Sequence, residues 1–224
     1  MTMNESITAA ASALGIRVPS RRELVADGIV HAVGVAAGIT GSIVLIAIAA
    51  LRHSYVEIVA VSIYAAGMIM MFSCSALYNL ARTHRYRHYF QRLDHSGIFL
   101  MIAGTYTPFT MLMLKGDWAI VLMVVVWTVA IIGVLIKLLW PKRLEGVTTG
   151  LYIGLGWVGI IALEPILTSL GIAALVLLGT GGALYCIGVI FHLWERLPYQ
   201  NAIWHGFVLA GAGTHYGAVL TAVI

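Results

Sequence analysis

Charged side chains are scarce in this chain, since Asp, Glu, Lys and Arg together make up 10% of its 224 residues. A soluble domain carries roughly 25% of such residues. The few charges are also unevenly spaced, so that long stretches of the chain carry none, and 61% of the residues are hydrophobic. This composition excludes a soluble domain and predicts an all-α protein embedded in a membrane.

Cysteine, lysine and linker sequence are also scarce, and each shortage excludes a class of protein. The two cysteines, Cys74 and Cys186, both lie in apolar stretches, so they cannot form a disulfide framework and are expected to be small packing residues. The last apolar stretch, Leu197–Ile224, contains no lysine, which excludes a retinal protein with a Schiff base in that helix. No long polar linker divides the chain, which predicts one domain.

The remaining sequence contains seven apolar stretches, each about 18 residues or longer, the length that crosses a bilayer. They are Ala32–Leu51, Ile58–Ala81, His95–Leu114, Trp118–Ile136, Gly146–Leu163, Pro165–Phe191 and Leu197–Ile224. Residues 1–22 have no strong apolar block and no basic residue before Arg17, so we expect a short cytoplasmic segment rather than a cleaved signal peptide. Residues 23–224 are then the seven-helix transmembrane domain, in which Pro108 is expected to kink the third helix.

The basic residues predict the orientation of the bundle. With the N-terminus in the cytoplasm, only Arg52 and Lys115 face outward, and the other 11 of the 13 basic residues lie inside. Those are Arg17, Arg21, Arg22, Arg82, Arg85, Arg87, Arg92, Lys137, Lys142, Arg143 and Arg196. The positive-inside rule therefore predicts a cytoplasmic N-terminus, an external C-terminus and a location in the cell membrane. The net charge of +4 is explained by loops that face anionic lipids, so we expect membrane lipids and no nucleic acid as partners.

Polar residues inside the apolar stretches are the candidates for function, because ionisable groups are costly in a bilayer. Three pairs spaced i,i+4 fall near the same predicted membrane face: Asp27 with His31, Ser75 with Asn79, and Asn201 with His205. Asp94, His95 and His192 fall at the same depth. We expect a shared polar cavity among helices 1, 2, 3 and 7, although groups near helix ends can also simply reach the water of the headgroup region.

Three segments carry a resemblance to a known family. Arg92–Phe109 (RLDHSGIFLMIAGTYTPF), Ala202–Gly211 (AIWHGFVLAG) and Met71–Tyr78 (MFSCSALY) resemble the most recognisable blocks of the hemolysin III proteins. These are the bacterial branch of the progestin and adipoQ receptor family. The resemblance covers the chain from about Glu23 to its end, and it implies seven spans with the N-terminus inside.

The resemblance also implies a site. Family members resemble membrane ceramidases and hold a zinc ion near the cytoplasmic face, bound by one histidine of helix 2 and two of helix 7. An aspartate of helix 3 reaches a zinc-bound water, and a serine of helix 2 supports the site. In this chain the serine corresponds to Ser75, the aspartate to Asp94 and the second helix 7 histidine to His205. The other two ligand positions carry Asn79 and Asn201.

The two asparagines predict a degenerate zinc site. Catalytic zinc usually has three protein ligands from His, Cys, Asp or Glu, and the amide oxygen of asparagine is a poor substitute. The available substitutes are His31 and, less directly, His95, with Asp94 as a further metal ligand and Asp27 as another cavity residue. Without a metal, Asn79, Asn201, His205 and Asp94 would instead form a hydrogen-bonded polar plug.

Three functions remain open from the sequence. The first is a role in membrane-lipid homeostasis that uses the cavity without an intact zinc site. The second is a metal-dependent amidohydrolase of ceramide-like lipids, in which Asp94 and Ser75 are the catalytic residues. The third is a pore-forming cytolysin or a transporter. The sequence predicts neither the lipid nor the oligomeric state.

Overall fold

The computed structural model describes residues 17–82, 84–140 and 145–224, in which every regular element is helical. The described helices are α1 (Arg21–Leu51), α2 (Tyr55–Leu80), α3 (Arg87–Pro108, continued by a π-helix over Phe109–Met113), α4 (Asp117–Leu139), α5 (Glu145–Gly156, a 3-10 turn over Val158–Ala162 and a last segment over Leu163–Ser169), α6 (Ile172–Leu193) and α7 (Gln200–Thr221). The predicted all-α fold is confirmed for these residues. Most of the segment 1–22 lies outside them.

Six of these helices, α1 to α6, are long and apolar enough to cross a membrane. The helix α7 has 22 residues, the same length as α6, but it is not among the six. Asn201, His205 and His215 lower its apolar character. The chain is therefore a multi-pass membrane protein, and six of the seven predicted spans are confirmed.

The first helix packs through one narrow seam. Its buried residues follow each other at intervals of three or four positions, which places them on one face. They are Glu23, Asp27, His31, Gly34, Gly38, Ser42, Leu45 and Ala49. The seam is ionisable in its first turns, carries small residues in the middle, where Gly34 and Gly38 face the ring of Phe72, and is apolar at its end. Glu23, Asp27 and His31 of α1 therefore lie inside the protein rather than against lipid.

Two predicted boundaries are wrong. The fifth span does not end at Leu163 but continues to Ser169, and α6 begins only at Ile172. Pro165 was assigned to the sixth span because the charged Glu164 interrupts the apolar sequence just before it. It instead occupies the first turn of the segment Leu163–Ser169, where the missing N–H is not needed.

The third helix changes its geometry at a proline. Pro108 is the last α-helical residue, and the backbone continues as a π-helix. Proline lacks the N–H of a helical hydrogen bond, and its ring crowds the preceding turn, so a wider turn at this point has a local cause.

Helices adjacent in sequence pack side by side from α1 to α5, while α7 packs against α6 and α1 and also reaches α3. Large apolar side chains such as Ile43, Val124 and Ile160 point outward, each more than half exposed. An apolar exterior of this kind fits a lipid environment. The arrangement brings the start of α1, the end of α2, the start of α3 and the start of α7 to one end of the bundle.

Candidate metal centre

Two helices from opposite ends of the chain bring together an aspartate and two histidines. Asp27 and His31 lie one turn apart on the buried seam of α1, and His205 lies in the second turn of α7. One ligand atom from each of the three residues lies within 4.8 Å of the others. Nδ1 of His205 lies 2.7 Å from Oδ1 of Asp27, and Nε2 of His31 lies 3.6 Å from the same oxygen.

The cluster is shielded from water. Asp27 is 2% exposed and His31 is 4% exposed. Nε2 of His31 is buried and forms no hydrogen bond with the described residues, which is unusual because buried polar atoms are nearly always partnered. The rings of His31 and His205 lie with their centroids 4.3 Å apart. His31 therefore presents a nitrogen lone pair or N–H to the cluster without a strong partner of its own.

Arg82 supplies a positive charge at the edge of the cluster. Its NH2 atom lies 3.6 Å from Oδ2 of Asp27, and its Nε donates a hydrogen bond to the carbonyl oxygen of Asn79 at 3.2 Å. One carboxylate oxygen of Asp27 thus contacts His205, and the other contacts Arg82. The guanidinium group competes with a bound cation for the carboxylate.

Asn79 does not reach the cluster with its side chain. Its Nδ2 donates a hydrogen bond of 3.0 Å to the carbonyl oxygen of Ser75, one turn back along α2. Asn201 lies closer, because it lines a pocket of about 400 Å³ together with Asp27 and Arg82. The described residues do not form the predicted plug of Asn79, Asn201, His205 and Asp94, since Asn79 is bonded along its own helix.

Ser75 and Asp94 form a second polar pair beside the cluster. The side chain of Ser75 interacts with the carboxylate of Asp94, and His205 and Asp27 are also within electrostatic range of that carboxylate. Asp94 is not one of the three ligand groups that lie within 4.8 Å of one another. Asp94 therefore lies beside the candidate metal centre and is not one of its three ligand groups.

The two other predicted histidines lie elsewhere. The side chain of His95 lies close enough to Lys137 and His192 to interact with them electrostatically. The backbone carbonyl oxygen of His95 accepts a hydrogen bond from the hydroxyl group of Tyr152. The ring of His192 lies 5.1 Å from that of Trp204. His95 follows Asp94 directly, so the two side chains leave α3 about 100° apart, and His95 is not part of the cluster of Asp27, His31 and His205.

The three residues fit a zinc ion by number and chemistry. Two imidazoles and one carboxylate with an open fourth position form a known catalytic zinc set. A tetrahedral zinc ion holds its ligand atoms roughly 3.3 Å apart, so His205 and Asp27, which form a direct contact of 2.7 Å, would have to separate slightly to bind one. The sequence analysis named Asp27 as a cavity residue but not as a metal ligand. It counted Arg82 only among the basic residues of the inner side and did not place it in the site. The repeat Glu23, Asp27, His31 at four-residue intervals in a helix is the signal for Asp27.

Comparison with known proteins gives one family and several relatives. The family profile described as "Haemolysin-III related" matches residues 21–216. "Hemolysin-3 homolog" of Bacillus subtilis (strain 168) is 37% identical over 199 residues, which cover 89% of this chain and 93% of that protein. "Hemolysin-3" of Bacillus cereus is 37% identical over 203 residues, covering 91% and 93%. "Monocyte to macrophage differentiation factor" of Homo sapiens is 27% identical over 215 residues, covering 93% and 88%.

Proposed function

The chain belongs to the haemolysin-III related family, and on that premise we propose that it is a metal-dependent hydrolase of membrane lipids whose zinc ligands are Asp27, His31 and His205. The observation that carries the proposal is the placement of these three ligand groups within 4.8 Å of one another. In this proposal, Asp27 and His31 of α1 act as ligands in place of Asn79 and Asn201, which occupy two ligand positions of the family.

The donor set explains why the replacement works chemically. Imidazole nitrogen and carboxylate oxygen are common zinc ligands, whereas an amide oxygen is a weak one. The unpartnered Nε2 of His31 gains a partner when a cation is bound. A zinc ion in this position supplies Lewis acidity to water and to a carbonyl oxygen.

The neighbouring pair supplies the proton chemistry. Asp94 accepts a proton from the attacking water, and Ser75 orients the carboxylate of Asp94. Arg82 neutralises the second oxygen of Asp27. Of the groups given a role here, Asp27 and Arg82 line the pocket of about 400 Å³.

The location favours a lipid substrate that is reached from the cytoplasmic side. The site lies at the end of the bundle where Arg17, Arg82 and Arg196 line the pocket, and basic residues favour the cytoplasmic face of the cell membrane. The resemblance to membrane ceramidases suggests an N-acyl lipid, whose amide bond would be cleaved.

Hydrolysis of a fluorescent N-acyl sphingoid lipid by the purified protein tests this function. Release of the fatty acid should be lost with a zinc chelator and restored by zinc. Asp94→Asn should abolish release while zinc stays bound, and His31→Gln should abolish both. Release that continues in Asp94→Asn, or that is insensitive to the chelator, contradicts the proposal.

A second function is favoured by one specific contact. The short distance of 2.7 Å between His205 and Asp27, together with the contact from Arg82 to Asp27, satisfies the carboxylate without a metal. Such a polar lock holds α1, α2 and α7 together and suits a protein that acts in membrane-lipid homeostasis without catalysis. Under this alternative, zinc has no effect on thermal stability and no lipid is hydrolysed.

A further inference from the structure

A second cavity lies on the outer side of α1, away from the seam that carries the candidate metal centre. This groove has a volume of about 550 Å³ and is lined by Arg21, Arg22, Val25, Ala26, Ile29 and Tyr199. Five of these residues come from the first turns of α1, and Tyr199 directly precedes α7. The groove is open to the surroundings of the bundle, so a ligand can enter it from the membrane.

The groove is amphiphilic along its length. Arg21, Val25 and Ile29 follow each other at four-residue intervals and share one helix face. The arginines lie at the first turn of α1, while Val25 and Ile29 are 55% and 58% exposed further into the membrane. A molecule with an anionic head and an apolar chain matches this order of surfaces.

The arginines of the groove have no acidic partner among the described residues. None of its six lining residues is acidic. Among the residues that the structure describes, neither Arg21 nor Arg22 forms an ion pair, while the neighbouring Arg17 is paired with Glu23. Arg21 and Arg22 line the same groove, and arginine side chains bind phosphate through charge-assisted hydrogen bonds.

We propose that this groove binds one anionic phospholipid of the cytoplasmic leaflet, with its phosphate between Arg21 and Arg22 and an acyl chain along Val25 and Ile29. A zwitterionic lipid fits less well, because its ammonium group would lie beside two positive charges. The proposal does not depend on the metal chemistry of the neighbouring cluster. It assigns a ligand to a surface on the opposite side of the same helix.

Tyr199 connects the bound lipid to the polar pocket. It lines both the groove and the pocket that contains Asp27. Its φ of 59° lies in the left-handed region, which a bulky residue adopts only when its surroundings hold it. The backbone of Tyr199 lies near the carboxylate of Glu23, which is one such neighbour. The phospholipid therefore packs against the wall of the pocket and stabilises the loop that forms it.

Native mass spectrometry of the detergent-purified protein, titrated with dioleoyl phosphatidylglycerol or dioleoyl phosphatidylcholine, tests the proposal. We expect the wild-type protein to retain one phosphatidylglycerol per chain in preference to phosphatidylcholine. The double variant Arg21→Gln/Arg22→Gln should bind it roughly tenfold more weakly or worse. The matched control Arg85→Gln/Arg87→Gln removes two exposed arginines elsewhere and should bind it like the wild type.

A measurement on the wild-type protein guards against a variant that does not fold. Phosphatidylglycerol with a photoactivatable diazirine in its acyl chain should cross-link to residues 25–29 of α1, and the phosphatidylcholine analogue should do so several-fold less. Equal binding of the two lipids, wild-type affinity in the folded Arg21→Gln/Arg22→Gln variant, or equal loss in the control variant would overturn the proposal. Cross-links spread evenly over the bundle would do the same.

Discussion

Nδ1 of His205 lies 2.7 Å from Oδ1 of Asp27, although 178 positions separate the two residues in the chain. This contact joins the start of the last described helix to the first one. It places His205 against a carboxylate and an imidazole that α1 supplies. The proposed zinc site, the polar lock and the shape of the neighbouring pocket all depend on this pair.

Removal of the carboxylate should abolish the stabilising effect of zinc. A ligand that binds only the folded state at 100 times its dissociation constant stabilises by about 2.7 kcal/mol. The melting temperature of the wild-type protein should therefore rise by several degrees when zinc is added after chelation. Asp27→Asn should show little or no rise, because the site loses a charged ligand.

Glu57→Gln is the matched control for this experiment. Glu57 is also a partly buried acidic residue near a helix start, and it pairs with Arg52 away from the cluster. This variant should respond to zinc like the wild type. An equal response of the Asp27→Asn protein would show that zinc binds elsewhere.

Replacement of the arginine beside the cluster should tighten zinc binding. The guanidinium of Arg82 lies 3.6 Å from Asp27 and repels a second cation at the same carboxylate. Arg82→Gln should therefore raise the affinity for zinc several-fold, as measured by competition with a fluorescent chelator. Arg85→Gln, a change to an exposed arginine three residues on, should leave the affinity unchanged, and weaker binding in Arg82→Gln would contradict this role.

A glycine in α4 tests the packing of the bundle. A Cβ atom at Gly133 would lie 2.3 Å from the ring of Phe99, which is fully buried. Gly133→Ala should destabilise the protein by about 1–3 kcal/mol through overpacking, measured by unfolding in mixed micelles. The control Gly150→Ala meets no atom within 4 Å and should be neutral or stabilising by up to about 1 kcal/mol. Equal stability of the two variants would mean that α3 and α4 do not pack as described.

Apolar length was sufficient to predict the helices, because a bilayer accepts little besides helices of about 20 residues. Details that depend on packing were not predictable from it. The boundary at Pro165 was misplaced because a single charged residue, Glu164, interrupts the apolar sequence there without ending the helical segment Leu163–Ser169. The π-helix after Pro108 follows from a kink that the sequence did predict.

The candidate site was predictable only in part. Polar residues near one face were identified from their positions, and His31 was named as a candidate substitute ligand. Which of His31 and His95 faces His205 depends on the orientation of each helix about its own axis. A single sequence does not determine that orientation. Arg82 was counted as a loop residue that faces lipid headgroups, and only the fold turns it back towards Asp27.

The orientation in the membrane remains a prediction from the distribution of basic residues. With 11 of 13 on one side, the N-terminus should be cytoplasmic and Ile224 external. A cysteine introduced as Thr2→Cys, with the native cysteines replaced by serine, should resist a membrane-impermeant maleimide in intact cells. A tag after Ile224 should be accessible from outside, and the reverse pattern would invert the assignment of the site to the cytoplasmic face.

The zinc content of the purified protein tests the central proposal most directly. Inductively coupled plasma mass spectrometry should find about one zinc per chain in the wild-type protein and in His95→Gln, because His95 lies away from Asp27 and His205. His31→Gln should contain little or none. A folded wild-type protein that holds no zinc, even after incubation with the metal, would contradict the metal site and leave the polar lock of Asp27, His205 and Arg82 as the better description.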